Sequence, residues 1–211
     1  MKINWPRGRA LCNFPAAMHF PAEFPLIETP RLVLRAFDLT DAPTVQRLAG
    51  AKEVANATAL IPHPYPDGVA EQWIATHATA WAAHRALSLA LTLKPTGELI
   101  GAIGLTFAEA HARAELGYWI GVPFWRHGFA TEAATALTDF SFRVIGLNRV
   151  QAHHYASNPA SGRVLLKAGL KREGTSPKMM LKNGRFEDVV FYGVLRRDWL
   201  GVGSAAPFAQ G

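Results

Sequence analysis

Between residues 86 and 121 the chain adopts a hydrophobic period of two and repeats it three times, in ALSLALTL (86–93), ELIGAIGLTF (98–107) and RAELGYWIG (113–121). Only short polar turns separate these runs. Strands joined so briefly pair antiparallel, because a parallel connection needs a dozen or more residues. The fold must therefore contain a three-stranded meander, and everything else packs around it. RLVLRAF (31–37) alternates like a further strand, and DLTDAPTVQRL reads as a helix capped by Asp or Thr. From Asp67, DGVAEQWIATHATAWAAHRA carries Val69, Trp73, Ile74, His77, Trp81 and His84 at the spacings of one helix. After the meander come a helix to about Ile145, a strand RVQAHHYAS (149–157) and a short helix NPASGRVLLKAG. Two closing strands, LKREGTS through MMLK and RFEDVVFYGVL, meet at Asn183-Gly184. This order predicts an α+β domain with a mixed, largely antiparallel sheet of six or seven strands flanked by helices.

Length and composition set limits. A chain of 211 residues, 49% hydrophobic and 18% charged, suits one domain with a full core. Pro6, Pro15, Pro21 and Pro25 make residues 1–25 an irregular N-terminal extension, either an extended arm or a loosely held one, with Met18 as an alternative start. Residues 26–200 then form the domain and 201–211 a tail. No apolar run approaches the roughly 20 residues of a membrane helix, so neither insertion nor export is expected. Cys12 has no cysteine partner and is expected to be inert, which fits the cytoplasm. Twenty-two Lys and Arg against 16 acidic residues give a net charge of +6, which favours an anionic partner. The basic residues are scattered and form no RNA-binding pattern, which puts a phosphorylated small molecule ahead of nucleic acid. His153 and His154 are neighbours on a strand and face opposite ways, while His77 and His84 lie two helical turns apart, so no metal site is expected.

The stretch FWRHGFATEAATAL (124–137) carries the clearest chemistry. A strand ends at Gly121, a Pro-aromatic loop follows, and a helix starts near Gly128 with its first amides unpaired and its dipole's positive end exposed. Such an end seats a phosphate. Gly128 lets the backbone turn tightly, Ala130 keeps the approach clear, and Arg126 and His127 add charge from the flank. Taken alone, a Gly before a helix is a turn. It lacks the Lys-Ser/Thr of a Walker loop, and GAIGLTF opens no helix as a dinucleotide fingerprint would.

ETPRLVLR, AELGYWIGVPFWRHGFATEA, GLNRVQAHHYASNPASGRVLLKAGLKREG and NGRFEDVVFYGVLRRDW occur in this order. With these four motifs the chain resembles the GNAT superfamily of N-acetyltransferases, specifically its RimJ/RimL branch, the ribosomal-protein alanine acetyltransferase type, over residues 26 to 199. The resemblance implies a sheet splayed between its fourth and fifth strands and acetyl transfer from acetyl-CoA to a primary amine. It places the CoA pyrophosphate on the amides of Arg126, His127, Gly128, Phe129, Ala130 and Thr131. Trp125 stands where the family's loop often has Arg or Gln, so one side-chain contact is missing. A bulge is expected to splay the strand ending at Gly121, with pantetheine pairing at Ile120, Gly121 and Val122; Gly117 and Gly121 fit such a distortion.

The reaction needs an uncharged amine, a polarised thioester carbonyl and a proton for the departing thiolate. A strand amide near Ile120 suits the carbonyl. Glu115, on the same strand, matches the place where the family often uses a carboxylate to take the amine's proton; a paired surface acid is the plain alternative. Burial or a water relay is what would make it a base. Asn158 matches the family's pantetheine contact and is also a good helix cap, while Ser161, one turn on, could reach the sulfur. Leu165 replaces the tyrosine acid many members carry, which leaves Ser161 or water, with Tyr155 as a weaker candidate. Glu187 and Asp188 are candidates for binding the amine.

The implied partners are acetyl-CoA and an amine acceptor, either a small molecule or a protein N-terminus, with no metal, no membrane, nucleic acid only through a ribosome, and room for a homodimer. A non-catalytic acyl-CoA-binding module and a basic RNA-associated protein are the competing classes. Acceptor choice is expected in the loops and in residues 56–84, where Tyr65, Trp73 and Trp81 either line the site or pack in the core.

Overall fold

A computed structural model describes residues 18–199. Cys12, residues 1–17 and the tail from 200 lie outside the described residues. Eight strands form one sheet: β1 Ile27–Glu28, β2 Leu32–Arg35, β3 Ala86–Leu93, β4 Leu99–Ala108, β5 Arg113–Ile120, β6 Arg149–Tyr155, β7 Lys171–Lys182 and β8 Arg185–Leu195. Their order is β1-β2-β3-β4-β5-β6-β8-β7. Every neighbouring pair is antiparallel except β5–β6. The meander stands as β3-β4-β5, and the strand beyond the expected seven is the two-residue β1. The β7–β8 turn sits at Asn183-Gly184, both with positive φ, as its Asn-Gly sequence demands.

The α-helices among the described residues are α1 Ala42–Ala49, α2 Lys52–Ala57, α3 Val69–Ala75, α4 His77–Ala82, α5 Phe129–Phe140 and α6 Pro159–Lys167. The expected single helix from Asp67 is two. It breaks at Thr76, whose amide and hydroxyl both turn back onto the Trp73 carbonyl, the side-chain competition that weakens a helix interior. The six-residue α2 was too short to show a period.

Alternation along the meander gives the sheet two unlike faces. Leu87, Leu89, Ile103, Leu105 and Leu116 join Ala133, Ala134 and Leu137 of α5 and Leu165 of α6 in the larger core. On the other face, Ala90, Ala102 and Trp119 pack against Val45 and Leu48 of α1 and Ala70 and Ile74 of α3. Trp81 belongs to the first core, where Phe20 meets it edge-on at 5.7 Å between ring centroids. Residues 18–25 form no helix or strand, yet Met18, Phe20 and Phe24 pack on this core and the His19 amide bonds the Ile145 carbonyl. That stretch is therefore anchored, contrary to the loose arm expected from its prolines.

Candidate active site

The parallel pairing of β5 and β6 runs from Arg113↔Arg149 to Glu115↔Gln151 and stops. On its other side β5 pairs with β4 through Gly101↔Ile120, with no register shift. The two strands therefore part without the expected bulge in β5. Because the Gly121 amide bonds the Ile100 carbonyl, the antiparallel alternation turns the N–H and C=O of Leu116, Tyr118 and Ile120 toward β6. The Leu116 and Tyr118 groups and the Ile120 amide edge the gap, the Ile120 carbonyl being taken by Trp125. Gly121 does not: its amide is committed to Ile100 and its carbonyl accepts from Phe124. Its lack of a side chain serves packing instead, since a Cβ there would lie 2.9 Å from Leu48 Cδ2.

Past that gap the chain passes Trp125 and enters the loop. The Trp125 indole donates to the Ile120 carbonyl at 2.6 Å, so the residue that departs from the family pattern ties the loop to the end of β5. Arg126 and Gly128 both have left-handed backbones, φ 66° and 82°. Gly128 caps α5 with no side chain, and the first intrahelical bond runs from the Glu132 amide to the Gly128 carbonyl. The amides from Gly128 to Thr131 are consequently free of helix partners. Arg31, which sequence reading passed over inside the strand motif, holds this turn. It pairs with Glu132 at 2.6 Å, donates to the His127 carbonyl at 2.9 Å and lies 4.7 Å over the Phe129 ring. Burial works against ionisation of Glu132, but bonds from Thr29 and Arg31 outweigh it and keep its pKa low.

Below the gap, on the face carrying α1 and α3, lies a cleft of about 600 Å³. Cross-strand register sets its floor in rows: Ala86, Thr106, Glu115, then Ser88, Gly104, Gly117. His153, two residues past the last β5–β6 pair, reaches back so that Nδ1 lies 2.8 Å from Glu115 Oε1. Gln151 donates to the other carboxylate oxygen at 3.3 Å. The His153 hydrogen bond holds Glu115 below its ordinary pKa against burial, and the same bond raises His153. Tyr65 and Trp73 line the cleft. His154 also borders the cleft but is buried, hydrogen-bonded to the Tyr155 carbonyl and the Tyr192 hydroxyl.

Tyr118 and Ser161 meet on the opposite face of the gap, their hydroxyls 2.7 Å apart. Burial pushes the Tyr118 phenol up to about 12, the bond to Ser161 opposing it. Asn158 caps α6, its side-chain oxygen accepting from the Ser161 amide at 3.3 Å. Leu165 is fully buried in the core. Of the further candidates, Tyr155 is buried away from the cleft lining, and Asp188 is bound by the Lys178 amide. Glu187, opposite Met180 on β7, does not line the cleft either. Tyr118 and His153 were missed as reacting groups because their partners come from other elements. The available signal was register: both lie past the point where β5 and β6 cease to pair.

Residues 31–171 match the Acetyltransferase (GNAT) domain family. The uncharacterized N-acetyltransferase YoaA of Bacillus subtilis is 34% identical over 174 residues, 82% of this chain and 98% of its own length. The [ribosomal protein uS5]-alanine N-acetyltransferase of Escherichia coli is 31% identical over 84 residues, covering 40% of this chain and 43% of that one. In fold, RimL, a ribosomal L7/L12 α-N-protein acetyltransferase solved with coenzyme A, aligns at a TM-score of 0.75 and 18% identity, over 81% of this chain and 98% of its own. No helix among the described residues is long and apolar enough to cross a membrane. With the parted strands, the Gly128 turn and these relatives in place, the chain belongs to the GNAT acetyltransferase family.

Proposed function

We propose that the protein transfers the acetyl group of acetyl-CoA directly to a primary amine, both substrates bound together. The observation that carries this reading is the slot between β5 and β6, edged by the outward backbone groups of Leu116 and Tyr118 and the Ile120 amide and leading to the free amides of α5. Such an edge accepts an extended, amide-bearing chain as an added strand, and the helix end accepts its pyrophosphate. Ile120, Val122 and the amides from Arg126 to Thr131 hold the donor, with Asn158 beside its arm. Acetyl-CoA supplies an acetyl group activated as a thioester.

The protein's own groups handle protons on two sides of the slot. On the cleft side, Glu115 accepts a hydrogen bond from the Nδ1–H of His153, which leaves Nε2 to take a proton from the amine. A histidine raised by its carboxylate is a better base than a free one. On the far side, Tyr118 stays protonated at working pH and donates to Ser161 Oγ, so that the serine O–H is directed at the departing sulfur. Asn158 fixes the Ser161 backbone for that task. Isothermal titration with acetyl-CoA, followed by CoA release on an amine panel, tests the reading. Micromolar binding with amine-dependent release is expected; no heat and no thermal shift at saturation would overturn it.

A further inference from the structure

Charge is distributed unevenly in the acceptor cleft. Its helix-side wall is apolar: Val45, Ile61, Pro62, Tyr65, Val69 and Trp73. Its floor offers the neutral hydroxyls of Ser88 and Thr106. Among the described lining residues the one acid is Glu115, and none is Lys or Arg. That single carboxylate is already shared with His153 and Gln151. The cleft can therefore compensate one cation, the reacting ammonium, and when His153 is neutral nothing else competes for the charge. A second ammonium would enter with no counterion, and a carboxylate would enter with no cation to meet it. Either would lose part of its hydration against the Trp73 and Val69 wall with no counter-charge in the lining to offset the loss.

We infer that the acceptor is a primary amine whose amino group is its only charge, carried on an apolar body. This deepens the acetyltransferase reading and rests on it. The ligand chemistry is shared by a small aryl- or alkylamine and by a polypeptide N-terminus with uncharged, apolar first residues. Polyamines and free amino acids are excluded by the same argument.

Matched acceptors isolate each charge. Phenethylamine and phenylalanine differ by a carboxylate, pentylamine and 1,5-diaminopentane by a second amine, and an amidated pentapeptide opening Ala-Val-Leu supplies the polypeptide arm. The uncharged-body member of each pair is expected to exceed its partner in kcat/KM by about tenfold or more, the penalty a buried unpaired charge exacts. Ser88→Asp, which adds a second acid to the floor, should raise 1,5-diaminopentane relative to pentylamine. Equal or better turnover of phenylalanine or the diamine in the unaltered protein would overturn the inference. Turnover of none of the five, with acetyl-CoA bound, would overturn it as well. Whichever of phenethylamine and the pentapeptide is faster identifies the source. Failure to bind acetyl-CoA at all would instead sink the acetyltransferase reading, so the two failures are told apart by the titration.

Discussion

The loop from Arg126 to Thr131 and the cleft beneath Gly117 lie at the two ends of the same parted strands, and they are made of different material. In the loop the groups we propose to work are backbone amides, set by two left-handed residues and a helix start. In the cleft they are side chains, Glu115 and His153, brought together from neighbouring strands. Backbone donors need only a conformation, which local sequence specifies. Side-chain dyads need two elements in register, which only the assembled sheet specifies. Substitutions should therefore act on binding at one end and on turnover at the other.

The largest effect is expected at the cleft. His153→Ala removes the proton acceptor, and the loss of a positioned general base lowers kcat by roughly 100-fold or more. Acetyl-CoA affinity should change less than about twofold, since His153 lies on β6 away from the loop. Steady-state kinetics with a calorimetric Kd check both halves. A parallel fall in affinity would break the division between the two ends.

Next comes the loop. Gly128 has φ 82°, and a Cβ there would lie 3.4 Å from Arg31 Nη2. Gly128→Val places a branched side chain in a region costing roughly 1–2 kcal/mol for any L-residue, so acetyl-CoA Kd should rise about tenfold or more. Arg31→Ala leaves the conformation allowed but removes its clamp on Glu132 and His127, and a several-fold rise is expected. Arg126→Ala removes only flanking charge and should do least. Equal effects at Gly128 and Arg126 would mean that side-chain charge, not backbone shape, holds the donor.

The same contrast explains what was legible. The meander, the α5 start and the Asn183-Gly184 hairpin follow from period and local backbone preference, so they could be read directly. The clamp could not, since Arg31 and Glu132 are 101 residues apart and each looks like an ordinary surface charge. His153 was equally hidden, because its role depends on β6 diverging just beyond Gln151. Trp125 looked like the loss of a contact, and only the folded loop shows its indole on the Ile120 carbonyl. The misplaced bulge has a similar origin: Gly117 and Gly121 suggested distortion, but Gly117 borders open space and Gly121 makes way for Leu48.

The smallest effect is the most specific. Glu115 and His153 shift each other's pKa in opposite directions, the acid down and the imidazole up. Within Glu115's share, stability is present above the ordinary carboxylate value and is lost as pH falls through the lowered one. Within His153's share, stability is present below the ordinary histidine value of 6.5 and is lost as pH rises through the raised one. The pair thus stabilises most between the two ordinary values, and a Tm gap between the native protein and Glu115→Gln should be widest there and close at either extreme. For turnover the sign reverses, because the base must be neutral: activity rises as pH climbs through the raised His153 value. Glu115→Gln removes the group that raises it, so the acid limb of kcat/KM should move to lower pH while the plateau falls by a smaller factor than in His153→Ala. If Glu115 itself took the proton, the substitution would abolish the plateau and leave no limb to move, and the dyad at the cleft would reduce to a single carboxylate.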